Sequence, residues 1–410
     1  MEMKKYKLGK IADIIAGQSP ESKFYSSKEG IPFLQGNRTF GDKYPEIDSF
    51  TTKITKLAKK GSILISVRAP VGDMNIACCD TCIGRGIGAI NSKDNLNEYL
   101  YYNLKNSISN LHKKSNGTTY DSITSDILSD YEVFIHNSYE ERKRIGELFS
   151  SIDDKIALNQ RINAKLESIA KCLYDYWFVQ FDFPNADGKP YKSSGGKMVW
   201  NEALKREIPE GWEVKCVNDI STSYRGVGYS AEDEKTAEDN DVVLILRGNN
   251  ISDNHIIFDN NTVYLDKSFI SKEQRLNKYD ILITMSSGSK EHVGKCAMFL
   301  FDSAHSYGAF CNKITPNKDC QFFLVNYLCS EYFKKYIKIS CSGTGINNLT
   351  NDHFNKALFA FPPENILMTF NKHLMSLYEK QGVIEQEILK LTALRDKLLP
   401  LLMNEQVEVG

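Results

Sequence analysis

The stretch Gly61-Ser62-Ile63-Leu64-Ile65-Ser66-Val67-Arg68-Ala69-Pro70-Val71-Gly72 returns in outline as Tyr279-Asp280-Ile281-Leu282-Ile283-Thr284-Met285-Ser286-Ser287-Gly288-Ser289. In both places a short, β-rich apolar run gives way to a polar, glycine-containing segment, which predicts a strand and the loop that leaves it. The match extends in both directions. Upstream, Phe33-Leu34-Gln35-Gly36-Asn37-Arg38 corresponds to Ile245-Leu246-Arg247-Gly248-Asn249-Asn250. Downstream, Ser115-Asn116-Gly117-Thr118-Thr119 and then Ile123-Thr124-Ser125-Asp126 correspond to Cys341-Ser342-Gly343-Thr344-Gly345 and Leu349-Thr350-Asn351-Asp352, at an offset of 226. Similarity of this reach predicts a duplicated fold.

A heptad-patterned helix follows each copy. In the first, Ile145, Ile152, Asn159, Leu166 and Cys172/Leu173 fall in one column, and Leu148, Lys155, Ile162, Ile169 and Tyr176 in the other. At an offset of 225, Phe370, Leu377, Ile384, Leu391 and Leu398 fill one column, and His373, Lys380, Glu387, Leu394 and Leu401 the other. Pro400 predicts a break or kink near the end of the second helix. Between the halves, Phe183-Pro184-Asn185-Ala186-Asp187-Gly188-Lys189-Pro190 is dense in turn formers and reads as a linker. The predicted division is a first globular domain at 1–139, a central helix at 140–180, a linker at 181–212, a second globular domain at 213–363 and a closing helix at 364–410. The expected fold class is mixed α/β: two similar globular domains separated by long helices that form an antiparallel coiled coil, with a pseudo-two-fold internal repeat.

Composition sets outer bounds. With 410 residues, 41% hydrophobic and 25% charged, the chain has material for two to four ordinary globular units and excludes global disorder. Nowhere do about 18 apolar residues run together, and the N-terminus has no leader-like apolar core, so the expectation is a cytoplasmic chain that neither crosses a membrane nor is secreted. The ten cysteines are too sparse for a disulfide scaffold, and Cys79 and Cys82 lack the two further ligands of a structural zinc site. The formal net charge is -1. Residues 1–139 carry 18 basic and 15 acidic side chains, whereas 213–363 carry 16 and 18. If this chain binds DNA, something else supplies part of the phosphate contact.

Catalytic constellations are missing. The segment from Gly288 to Gly294-Lys295 has the wrong glycine spacing for a phosphate loop and ends in Cys296 where a hydroxyl should hold magnesium. Glu213-Val214-Lys215 has the acid-x-lysine form of some nucleases without an upstream partner Asp. The seven histidines include no zinc-binding pair and none beside a candidate nucleophile. Phe361-Pro362-Pro363-Glu364 lacks the Asn or Asp and the second aromatic of an amino-methyltransferase motif, and no dinucleotide-type glycine fingerprint follows a strand.

The ordered combination of repeat, helices and local motifs resembles the specificity subunit of type I restriction-modification systems over essentially the whole chain. The motifs that carry this are Pro190-Tyr191-Lys192-Ser193-Ser194-Gly195-Gly196-Lys197 with Ile208-Pro209-Glu210-Gly211-Trp212-Glu213-Val214, then Ile152-Asp153-Asp154-Lys155-Ile156, and Leu394-Arg395-Asp396-Lys397-Leu398-Leu399-Pro400. The resemblance implies a non-catalytic subunit with two target-recognition domains, each reading one half of a bipartite sequence in double-stranded DNA. The helices then serve as a ruler and as the docking surface for two adenine methyltransferase subunits, with a restriction and translocase subunit joining for cleavage. S-adenosylmethionine, ATP and magnesium are expected on those partners, and no cofactor or metal on this chain.

Direct readout needs polar donors and acceptors on rigid supports, so the base-contact candidates are polar residues in the loops leaving strands. In the first domain they are Gln35, Asn37, Arg38, Ser66, Arg68, Arg85 and Thr118; in the second, Arg247, Asn249, Asn250, Ser286, Ser287, Lys290 and Thr344. Domains reading different half-sites should differ at contact positions, as Arg68 differs from Ser286. A twin-module nucleic-acid binder acting without a methyltransferase is the alternative of the binding class. A self-sufficient methyltransferase or nuclease, and a coiled-coil scaffold, are disfavoured by the missing motifs and by the duplicated loop-rich domains respectively.

Overall fold

Ile63-Leu64-Ile65-Ser66 is apolar with no polar alternation, as a strand covered on both faces should be, and all four residues are buried. The structure, a computed structural model, describes residues 3–107, 122–237, 239–258, 262–289, 291–341 and 347–409. The chain divides into two compact units, Met1–Leu158 with Lys390–Gly410, and Asn159–Leu389.

In the first unit β1 (Met3–Lys7) is followed by β2 (Ala12–Ala16), β3 (Ile31–Leu34), β4 (Ile63–Ser66), β5 (Met74–Ile76), β6 (Thr81–Ile83), β7 (Ile87–Ser92), α1 (Asn97–Ser107), β8 (Glu132–His136) and the start of α2 (Tyr139–Tyr174), whose residues from Asn159 onward belong to the second unit. The central antiparallel sheet has the order β2-β7-β4-β5, β3 runs parallel to β6, and β1 pairs with β8.

In the second unit come β9 (Glu213–Cys216), β10 (Ser221–Arg225), β11 (Val242–Leu246), β12 (Ile251–Ser252), β13 (His255–Ile256), β14 (Ile281–Thr284), β15 (Ser286–Ser287), β16 (Cys296–Met298), β17 (Ser306–Tyr307), β18 (Cys311–Pro316), α3 (Gln321–Leu328), β19 (Asn347–Asn348), β20 (Leu358–Phe361) and α4 (Glu364–Met403), whose residues from Lys390 onward belong to the first unit. Here the sheet order is β10-β18-β14-β16, β11 runs parallel to β17, and β9 pairs with β20. The four-stranded antiparallel sheet, the parallel pair and the pairing of first and last strands recur in the same order as in the first unit, so the repeat in the sequence is a repeat of this central fold. Among the described residues, shorter strand pairs such as β12 with β13 belong to the second unit alone.

The second unit's core is built on aromatic residues. Trp177 and Phe178, in a π-helical turn that ends α2, pack on Phe370 of α4, with centroids 5.5 and 4.6 Å away. The segment expected as a linker is packed into this core: Phe181, Phe183, Ile208 and Trp212 are buried, and Met198–Asn201 pairs with Arg206–Pro209 as a hairpin. Phe183 stacks on Tyr191 at 4.7 Å and Trp212 meets Phe181 edge-on at 5.3 Å.

Within this unit α2 and α4 run antiparallel, since Asn159 bonds Glu387 while Trp177 meets Phe370. The first predicted column holds as far as Leu166, with Ile145, Ile152, Asn159 and Leu166 buried, but at its last step Cys172 is exposed and Leu173 half-buried, and Tyr174 is the buried residue. The second lies one residue further on, at Phe149, Ile156, Asn163, Ala170 and Trp177, while Ile169 and Tyr176 are exposed. The same one-residue correction applies to α4, where Leu374 and Gln381 are buried and His373 and Lys380 are exposed. Helix α4 continues through Pro400 to Met403, without the break expected there.

Candidate nucleic-acid interface

In each unit the polar segments gather at one end of the central sheet because of how its strands alternate in direction. In the first unit β2, β4, β3 and β6 finish there and β7 starts there. The junction is laced by backbone bonds from Gly84 N–H to the Leu34 carbonyl (2.8 Å), Gly86 N–H to Gln35 (3.1 Å), Val67 N–H to Gly86 (2.9 Å) and Gly17 N–H to Ile87 (3.0 Å). The second unit repeats it: Gly308 N–H bonds the Leu246 carbonyl (2.9 Å), Met285 N–H bonds Phe310 (2.8 Å) and Gly226 N–H bonds Cys311 (3.1 Å). A Cβ on Gly17 would lie 2.2 Å from the Gly84 carbonyl oxygen, and one on Gly226 would lie 2.2 Å from that of Gly308. Only glycine permits either approach. The correspondence therefore reaches individual atoms of the loop ends.

On this shared frame the side chains differ. Gln35, Arg68 and Arg85 are exposed. Arg68 and Arg85 line one open cavity of about 290 Å³ with Ser122 and Thr124; Gln35 and Arg38 line a second of about 290 Å³. Asn37 donates to Asp73 Oδ2 at 2.6 Å, and Arg38 makes a largely exposed ion pair with Asp48 at 2.5 Å, the kind that adds little stability and is readily exchanged. Ser66 is 1% exposed, and its hydroxyl lies 2.8 Å from the Arg68 carbonyl and 2.7 Å from that of Pro70, so it shapes the loop that presents Arg68.

In the second unit Asn249 is exposed and Arg247 half-buried. Asn250 is buried; its Oδ1 accepts from Arg247 N–H and its Nδ2 donates to the Ile257 carbonyl, both at 2.9 Å. Ser286 and Ser287, half-buried, pair through β15 with β19, as Arg68 bridges to Ser122 in the first unit. Thr118, Lys290 and Thr344 lie outside the described residues.

Beyond these loops each unit grips helix with one cation from the hairpin-like turn that follows the Gly-Asn step. Lys43, only 3% exposed, donates to Ser150 Oγ at 2.9 Å and Asp154 Oδ1 at 2.8 Å on α2, and the Tyr44 hydroxyl donates to the same carboxylate. His255 in the β12–β13 hairpin places Nε2 3.0 Å from Glu167 of α2 and Nδ1 3.2 Å from Glu385 of α4. Burial opposes charge on this imidazole, but the hydrogen bonds it donates to two carboxylates, and their charge, outweigh it and hold its pKa up at about 10. Burial pushes the Glu385 carboxyl upward, while His255 pulls it back down. Asp153, in the quoted Ile152-Asp153-Asp154 motif, accepts from Arg395 of α4 at 2.9 Å and from the Tyr102 hydroxyl at 2.6 Å. Sequence reasoning passed over Lys43, His255 and these pairings because the partners stand between 51 and 242 residues apart. The offset between the copies, which aligns Lys43 with His255, was the available signal.

This arrangement offers hydrogen-bond donors on rigid supports. Among the described residues no three His, Cys, Asp or Glu side chains gather as a metal site, and no helix is long and apolar enough to cross a membrane. The type I restriction modification DNA specificity domain matches residues 1–168 and 209–391. The chain is 27% identical to the type I restriction enzyme MjaIX specificity subunit of Methanocaldococcus jannaschii, covering 98% of this chain and 93% of that protein. Over 38% of this chain and 34% of the relative, it is 32% identical to the EcoKI specificity subunit of Escherichia coli K12. The type I restriction-modification S subunit from M. genitalium shares the fold, with a TM-score of 0.63 at 16% identity, covering 98% of this chain and 96% of the other. Matched along both halves of its length and in both of its duplicated units, the chain belongs to the family of type I restriction-modification specificity subunits.

Proposed function

We propose that this chain is the non-catalytic, sequence-reading subunit of a type I complex. Each unit reads one half of a bipartite double-stranded DNA target, and α2 and α4 dock the adenine methyltransferase subunits, expected to number two. A restriction and translocase subunit completes the assembly, and S-adenosylmethionine, ATP and magnesium are held by the partners. The observation that carries this reading is that one backbone frame, duplicated to the level of the Gly17 and Gly226 approaches, presents different side chains at matched positions: Gln35 against Arg247, Arg68 against Ser286, Arg85 against Ala309. Twin readers of two unlike sequences need that combination of common support and divergent contact. The slight net charge of -1 fits a subunit whose partners supply much of the phosphate contact.

The test is single-base mapping of N6-methyladenine in cells that express the chain with its neighbouring methyltransferase subunit, against cells lacking the chain. Methylation at a split motif that vanishes without the chain is the expected result. Methylation unchanged by its removal contradicts the proposal, and an absence of methylation in both favours a twin-module binder that works alone.

A further inference from the structure

Phe310 is 71% exposed, an aromatic ring in open solvent amid the polar loops of the second unit. Its backbone is held firmly: its carbonyl accepts from Met285 N–H at 2.8 Å and from Ser286 N–H at 3.2 Å, and the next residue, Cys311, is fully buried at the start of β18. Since Val67 N–H bonds the Gly86 carbonyl as Met285 N–H bonds that of Phe310, the residue occupies the place of Gly86, next to Arg85, in the first unit. A ring so mounted has no core to fill, and Ser286, whose N–H bonds the Phe310 carbonyl, belongs with Ser287 to the proposed reading loop.

We propose, resting on the reading of the second unit as a half-site reader, that Phe310 is a specificity-determining residue that senses the 5-methyl group of a thymine in the major groove. The groove's four base-pair signatures differ in one apolar feature, that methyl, and a phenyl ring is among the side chains that read it by contact. Ser286 beside it, and Ser287 next in the loop, supply hydrogen-bonding groups for adjacent polar edges. The first unit, with Gly86 at this point, lacks the sensor and offers the Arg85 guanidinium instead, so only one half-site is read this way.

The experiment uses the full chain assembled with its methyltransferase subunits and duplexes carrying the mapped motif, in which each thymine is replaced singly by deoxyuridine, removing only the methyl. The wild-type complex should lose about fourfold in methylation rate at one position, the effect of one methyl group leaving apolar contact. The Phe310→Ala complex should methylate thymine and uracil duplexes equally at that position, and Phe310→Leu should retain part of the discrimination. Unchanged discrimination in Phe310→Ala, or no sensitive thymine in the wild type, overturns the proposal. So does a Phe310→Ala chain that fails to assemble with its partners while keeping its sequence preference, which would assign the ring to a protein contact. Methylation that does not depend on the chain at all would instead remove the proposed function beneath it.

Discussion

Ser66 turns its hydroxyl inward onto two carbonyls while Arg68, two positions on, stands open to solvent. The sequence marks both as polar loop residues after a strand, and only the local path of the chain separates support from contact. Replacing Ser66 with Ala should cost about 1 kcal/mol of stability, the worth of a buried hydroxyl bond, seen as a lower denaturant midpoint. Arg68→Ala should leave that midpoint within about 0.5 kcal/mol of wild type, as exposed side chains do, yet weaken binding to the mapped site by about 1 to 3 kcal/mol if the guanidinium grips a guanine. Binding unchanged in Arg68→Ala would take the residue out of the interface. Asn250 shows the same limit from the other side: its sequence neighbours suggest contact, whereas both ends of its amide bond backbone within its own hairpin region.

At the scale of elements, the strands were legible because apolar runs such as Ile63-Leu64-Ile65 and Ile281-Leu282-Ile283 admit no other buried element of that length. One seam column of each helix was misplaced by a residue for a physical reason. Apolar side chains flank the boundary on both sides, as with Leu148 and Phe149 or Tyr176 and Trp177, while the true seam contains Asn163 and Gln381, which read as surface. The packed linker escaped notice because its few apolar residues are separated by turn formers and make no period. The His255 clamp was invisible for want of any local partner, and it makes a pH prediction. Its folded pKa of about 10 lies above the ordinary 6.5, so its contribution is complete below about pH 6.5 and is lost as pH rises through about 10. His255→Ala leaves Glu167 and Glu385 without their shared cation and should cost about 2 to 3 kcal/mol at pH 7, below the fully buried case because both carboxylates keep some solvent. The gap between variant and wild type should narrow at about pH 10.5; a constant gap would show that the proton plays no part. His255→Lys, the residue used at the matching Lys43, should recover part of the loss.

For the whole molecule, the central question is whether two copies of one fold divide the reading of one target. The polar pair of Asn159, 2% exposed, and Glu387, 2.8 Å apart, belongs to this scale because buried polar pairs fix register in helix pairs at some cost in stability. Asn159→Leu should therefore broaden the gap lengths that the assembly accepts or mix its partner stoichiometries, and a single gap with a single stoichiometry would count against the register role. The division of labour itself is tested most directly by mapping N6-methyladenine for the wild-type chain, Arg68→Ala and Arg247→Ala, each expressed with the same methyltransferase subunit. A divided reading requires that Arg68→Ala relax the bases of one half-motif and Arg247→Ala those of the other, with the gap unchanged in both. Relaxation of the same half by both variants, or an unaltered motif in both, would contradict it.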